Sequence, residues 1–156
     1  YTILKDDEGH RYLYSYVIMY QWGWESVVKK KKYLLDKATD FDKAKFFGAS
    51  AQRTYLIYAT GSKLYAYDYV AEKVQLLQDF GDQEITLLHC DLLVETGAGD
   101  DFFYVGTYDP SLPKETGGTL TKYRVVNDPN NIIVEKVPGF SWSGLCKIKS
   151  IDFKKN

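Results

Sequence analysis

Methionine occurs once in 156 residues, histidine and cysteine twice each, and proline four times. Two cysteines, Cys90 and Cys146, suit neither a disulfide-rich scaffold nor a zinc site. Helix-favouring runs of Ala, Leu and Met are scarce, which turns the reading away from helical folds. No apolar segment approaches the roughly 20 residues needed to cross a bilayer as a helix, and no signal peptide is visible. Positive charge is not in excess. Lys and Arg total 20 against 21 Asp and Glu, a formal charge of −1. That balance excludes a nucleic-acid partner held by phosphate contacts, which needs a basic face. The one basic cluster, Lys29 to Lys32, reads as a solvated or edge-protecting strand.

Catalytic signatures are missing as well. The sequence holds no nucleophile elbow and no Gly-rich phosphate loop. His10 follows Asp7-Glu8-Gly9, a turn before a strand. His89 and Cys90 are neighbours on a strand-like run, so their side chains point to opposite faces and do not form a catalytic pair. Paired carboxylates for glycoside cleavage remain open, because their separation in space is not readable from sequence. Asp36, Asp40, Asp42, Asp79 and Asp82 have oxygen ligands that suit calcium, but no EF-hand spacing accompanies them, and solvated loops are the simpler reading. No metal and no cofactor is expected.

What the chain does have is aromatics, 16% of its residues, with 14 tyrosines. Tyr, Phe, Val, Ile and Thr suit a pleated, half-buried surface. The stretch TYLIYATGSKLYAYDY, from Thr54 to Tyr69, is a hairpin punctuated by Thr60-Gly61-Ser62, and weaker copies of it recur. Tyr12-Leu13-Tyr14 matches Tyr55-Leu56-Ile57 at an offset of 43, and Tyr33-Leu34-Leu35 matches Gln75-Leu76-Leu77 at 42. Leu56 to Thr60 matches Phe103 to Thr107 at 47, and Lys63 to Tyr67 matches Thr119 to Tyr123 at 56. The extra residues fall in Asp109 to Gly118, a Pro- and Gly-rich loop.

Each repeat holds four strand-like runs. In the middle copy they are Lys43 to Ala49, Tyr55 to Thr60, Lys63 to Tyr69 and Lys73 to Asp79. In the last they are Ile85 to Val94, Asp101 to Tyr108, Thr119 to Val126 and Ile132 to Val137. A period in the forties with four strands per unit predicts an all-β protein built of antiparallel β-propeller blades. The units span about 1–42, 43–84 and 85–144, with a final inner strand in 145–156. That amounts to about 2.75 blades of a seven-bladed propeller, since propellers close with roughly 4–8 blades. The chain begins with Tyr rather than Met, so a trimmed chain is expected, completed by missing N-terminal blades or by another chain. Its exposed blade faces and edges predict an oligomer or aggregation rather than an isolated monomer.

The tail, GGTLTKYRVVNDPNN followed by FSWSGLCKIKSIDFKKN, resembles the C-terminus of a family of Bacteroidetes lipoproteins called PKD-like. The resemblance rests on Gly117-Gly118-Thr119-Leu120, Lys122-Tyr123, Trp142, Gly144-Leu145 and Lys147 to Asn156, and covers at least Tyr55 to Asn156. It implies a lipoprotein signal, immunoglobulin-like domains and earlier blades ahead of Tyr1. It also implies a place at the outer membrane or cell surface, often beside glycan-uptake systems. It names no chemistry and no ligand.

Blade geometry adds a site. The connection from second to third strand and the connection onward to the next blade emerge at one end. Trp22-Gly23-Trp24 and Asp109 to Gly118 occupy the former kind, and Trp142 the latter. Trp22, Trp24, Trp142, Asp109 and Lys114 are therefore the ligand-binding candidates, since exposed aromatics on loops make recognition surfaces. The competing reading has each Trp plugging a groove between blades. For function, three readings stay open: a non-catalytic surface module binding a glycan or partner proteins of an uptake complex, a hydrolase or lyase with its catalytic residues in missing blades, and a structural scaffold. Cys90 and Cys146 are expected as buried free thiols rather than a disulfide, because the strands carrying them align poorly.

Overall fold

A computed structural model describes residues 2–21, 23–35, 44, 46–49, 55–68, 70–91, 101–127 and 131–151. They form antiparallel β-structure, with no helix among them. The first sheet contains β1 (Thr2–Lys5), β2 (Arg11–Gln21) and β3 (Trp24–Leu34). The second contains β4 (Phe46–Ala49), β5 (Tyr55–Thr60), β6 (Lys63–Asp68) and β7 (Lys73–Asp79). The third contains β8 (Glu84–Asp91), β9 (Asp101–Tyr108), β10 (Gly118–Asn127) and β11 (Ile132–Leu145). In every sheet each strand pairs with its neighbour in sequence.

The three sheets stack face to face, with the second in the middle. Leu56, Tyr58, Tyr65 and Tyr67 of the second sheet pack against Leu13 of the first and Leu35 just past β3. Tyr55, Ile57, Ala59 and Leu64, on its opposite face, pack against Ile85, Phe103, Val105, Tyr123 and Val125 of the third. A sheet covered on both sides has no polar face to show, so its strands read as continuous apolar runs. That is why Tyr55 to Ala59 holds no polar alternation and why all five side chains are buried. Leu56 and Ile57 each contribute about 1.5–3 kcal/mol on burial. The hairpin between β5 and β6 turns on Gly61, at φ +58, while Ser62 keeps a negative φ. A positive φ at the first central position alone fits a type II′ turn, which suits the twist of the flanking strands.

Two direct cross-strand pairs face the preceding sheet: Leu56 with Tyr67, and Phe103 with Tyr123. The offsets of 47 and 56 carry one pair onto the other. The Phe103 and Tyr123 rings stack at 5.4 Å, and burial pushes the Tyr123 phenol up from its ordinary pKa. The offset of 43 does not keep faces in this way. Leu13 points toward the second sheet and Leu56 points back toward the first, so the offset that preserves faces differs from 43 by an odd step. The offset of 42 fails for another reason. The Tyr67 hydroxyl donates to the Leu34 carbonyl at 2.9 Å, which sets the end of β3 beside the end of β6. Tyr33 and Leu34 thus end a third strand, whereas Gln75 to Leu77 lie in the fourth strand, β7.

The second and third sheets are also clamped at their outer strands. The Gln75 side chain of β7 donates to the Ile132 carbonyl of β11 and accepts from the Ile132 amide at 2.9 Å. The last strand runs further than the sequence suggests, to Leu145 rather than Val137. Residues 146–151 lie in no strand, and 152–156 fall outside the described residues. Lys29 to Lys32 lie in β3, an edge strand among the described residues.

Candidate functional site

In the second and third sheets the connections expected at one end do gather there. Phe80, after β7, donates its amide to the Ser62 carbonyl at 2.9 Å, and Ile85 donates to Gly61 at 3.1 Å. In the third sheet the same relation holds between Lys147, just past β11, and the Lys114 carbonyl, at 2.8 Å. The loop from Asp109 to Gly117 is closed and internally bonded. Asp109 accepts from the Ser111 amide at 2.9 Å and the Ser111 hydroxyl at 2.6 Å. The Asp109 amide donates to the Gly117 carbonyl, and the Tyr108 hydroxyl donates to the Leu112 carbonyl, both at 2.9 Å. Asp109 is thus engaged in shaping its own loop. Lys114 meets Lys147 through its backbone, and its side chain is exposed.

The Ser111 hydroxyl, and then its amide, hold the Asp109 carboxyl below the usual range. A lowered pKa means that loop order from Asp109 is fully present above the ordinary carboxylate pKa, about 3.9. That order is lost as pH falls through the lowered value. Asp109→Ala is expected to speed amide exchange at Leu112, Thr116 and Gly117 at neutral pH. Exchange rates there that match the parent protein would show that Asp109 does not order the loop.

Of the three tryptophans, only Trp142 has a described side chain. Trp22 lies outside the described residues. Trp24 starts β3 opposite Gln21, and its side chain also lies outside what is described. Trp142 is not in a connection but inside β11, paired with Leu120. The reason is a bulge. Tyr123 pairs with Lys136 and Thr121 with Ser141, so Val137 to Phe140 form an excursion opposite Lys122 alone. Gly139 sits at the crest with φ +77, a backbone angle that L side chains rarely adopt.

The bulge delivers Phe140 and Trp142 to the face of the third sheet turned away from the stack. Both are 43% exposed, and their rings meet edge to face at 6.0 Å and 89°. Lys122 lies beneath them. Its ammonium is 4.4 Å from the Phe102 ring centre and 5.3 Å from those of Tyr104 and Phe140. Beside this group an open groove of about 430 Å3 is lined by Phe102, Arg124, Glu135, Lys136, Val137 and Pro138. Arg124 donates to Glu135 at 2.8 Å across its mouth. Sequence reasoning found Trp142 and missed the rest. Phe102, Tyr104 and Lys122 show as an alternating pattern on β9 and β10, but only the strand register brings them together.

Other sequence candidates fall elsewhere. His10 lies in the turn between β1 and β2, where Asp6, Glu8 and His10 bring possible ligand atoms within 4.8 Å of one another. This turn is built by Asp6, which accepts from the Glu8 and His10 amides at 3.1 and 2.8 Å. Desolvation alone would raise the Asp6 pKa, but those hydrogen bonds and the nearby His10 charge outweigh it and lower the value. His89 pairs with Tyr104 and Cys90 with Phe103, whose rings occupy opposite faces of the sheet. Cys146 is free but exposed, because the chain has left β11 by that point. The Cys90 side chain lies outside the described residues. Asp79 accepts from the Gly81 amide at 2.9 Å and from the Ser62 hydroxyl at 3.3 Å, as a turn residue. Asp36, Asp40 and Asp42 lie outside the described residues. In comparison with known proteins, no family model matches the chain, and no curated protein or solved structure matches it significantly.

Proposed function

We propose that the chain is an arc of a β-propeller and a non-catalytic binding module, with Phe140, Trp142 and the Lys122 group as its contact surface for a glycan. Support for the propeller comes from consecutive four-stranded meanders stacked face to face, and from two onward connections that return to the end carrying the second-to-third turn. Support for a cell-surface lipoprotein of an uptake complex comes from the resemblance of the tail to PKD-like chains. Partner proteins of such a complex are the other ligands this reading admits, and catalysis in further blades or a scaffold role are its competitors.

The observation that carries binding is the pair of exposed rings on the outer strand. In a propeller the next sheet stacks on this same face, so the rings must stay reachable when it does. The second sheet offers the comparison. Gln78 pairs with Leu64 as Trp142 pairs with Leu120, and Gln78 remains partly exposed although the third sheet covers that face. The outer corner of a covered sheet therefore stays open to solvent.

The test is Trp142→Ala in the full-length protein, with a glycan array and a melting curve. Binding predicts a loss of roughly 1–3 kcal/mol of affinity, by analogy with bases stacked on aromatics, and a nearly unchanged Tm. A Tm drop corresponding to about 3–5 kcal/mol, as for buried aromatics, would assign Trp142 to packing between sheets and remove this surface from contention.

A further inference from the structure

We infer that the outer face of β9 to β11 holds a single sugar unit of a soluble glycan, stacked on Trp142, an assignment that rests on the glycan-binding reading above. It excludes a run of units stacked along a chain and the flat surface of an insoluble polysaccharide. A pyranose meets an aromatic side chain by laying its C–H face parallel to the ring, so each stacked unit needs an open ring face of its own. How many units the surface holds is set by which ring faces are open and by the planes in which they lie.

Most rings on this face are committed elsewhere. Phe102, Tyr104 and Phe140 gather around the Lys122 ammonium, at 4.4, 5.3 and 5.3 Å from its nitrogen to their centres. Tyr108 lies 4.9 Å from the Lys147 ammonium. All four distances fall within cation–π reach, and Tyr104 and Tyr108 are buried besides. Among the described Phe, Tyr and Trp rings of this face, Trp142 alone has no ammonium over it, and it is 43% exposed. Its aromatic neighbour Phe140 stands at 89° to it. A sugar lying flat on Trp142 therefore finds Phe140 upright beside it, as a wall and not as a second platform. The bulge is the cause. Residues two apart on a regular strand project alike, but Phe140 belongs to the excursion opposite Lys122 and Trp142 to the ladder that resumes after it. No single plane lies against both rings.

The experiment titrates the full-length protein with cello-, xylo-, manno- and chito-oligosaccharides, each as disaccharide and hexasaccharide, and mixes it with crystalline cellulose and crystalline chitin. In any series that binds, the hexasaccharide should be at most about threefold tighter than the disaccharide, in proportion to its units. A second stacked unit would instead add about tenfold or more. Neither crystalline polysaccharide should remove the protein from solution. Phe140→Ala should weaken disaccharide and hexasaccharide by the same factor, because Phe140 flanks the one unit that both share. The length ratio is read on the parent protein, so it stands even if that variant perturbs the sheet. A length gain above the ratio of units, or depletion by crystalline cellulose or chitin that Trp142→Ala abolishes, would overturn the single-unit assignment and leave glycan recognition standing. Binding of no probe would overturn both.

Discussion

Tyr67→Ala is expected to cost about 3–5 kcal/mol of stability, in the range measured for buried aromatics. The side chain is fully buried between the first and second sheets, where it packs with Leu13, Leu35 and Leu56. For a chain of this size the loss corresponds to a fall in Tm of roughly 6–20 °C. Its hydroxyl also joins the two sheets through the Leu34 carbonyl, so Tyr67→Phe separates the ring from the bond. Phe keeps the packing and loses one hydrogen bond, worth about 1 kcal/mol. A Tm for Tyr67→Ala within two degrees of the parent would mean that the first sheet does not lean on the second. The two replacements need only melting curves and a denaturant titration.

Gly118→Ala is expected to be nearly as damaging, through overpacking rather than a cavity. A Cβ at Gly118 would overlap the Cys146 carbonyl oxygen and sit 2.8 Å from that of Leu145. Both are backbone atoms, so no side chain can swing away to relieve the contact. Overpacking typically costs about 1–3 kcal/mol and occasionally more, and a backbone clash at this distance belongs at the upper end. Gly61→Ala provides the control, because its Cβ meets nothing within 4 Å and only the φ of +58 opposes it. If Gly118→Ala melts with Gly61→Ala or above it, the close pairing of β10 with the end of β11 is not present in solution.

Much of the architecture was legible because turns punctuate it. Gly61-Ser62, and Gly81-Asp82 after β7, bound runs too short and too rich in aromatics for helices, and β5 and β6 match the sequence reading almost residue for residue. Phase was harder. The match of Tyr12-Leu13-Tyr14 to Tyr55-Leu56-Ile57 is good in letters and one residue out in faces. A sheet buried on both sides carries no polar alternation to fix its parity. The site suffered for a related reason. Val137-Pro138-Gly139 reads as the end of a strand, since proline removes a ladder donor and glycine bends the chain. Here the same residues make a bulge, after which β11 resumes and carries Trp142 with it. No local pattern distinguishes a strand that stops from one that pauses.

Pairing each strand only with its sequence neighbour has a kinetic consequence. The loop between β5 and β6 is two residues long, and closing so short a loop takes well under a microsecond to a few microseconds. Each sheet can therefore assemble from local hairpins, as soon as its own strands are available, before any other sheet exists. The Gln75–Ile132 clamp joins residues 57 apart and must wait for two finished meanders to meet. Stacking, not strand pairing, then sets the pace. In pulse-labelled refolding the amides of β5 and β6 should gain protection ahead of the Ile132 amide, leaving an interval in which completed sheets display their apolar faces to one another and to any other chain nearby.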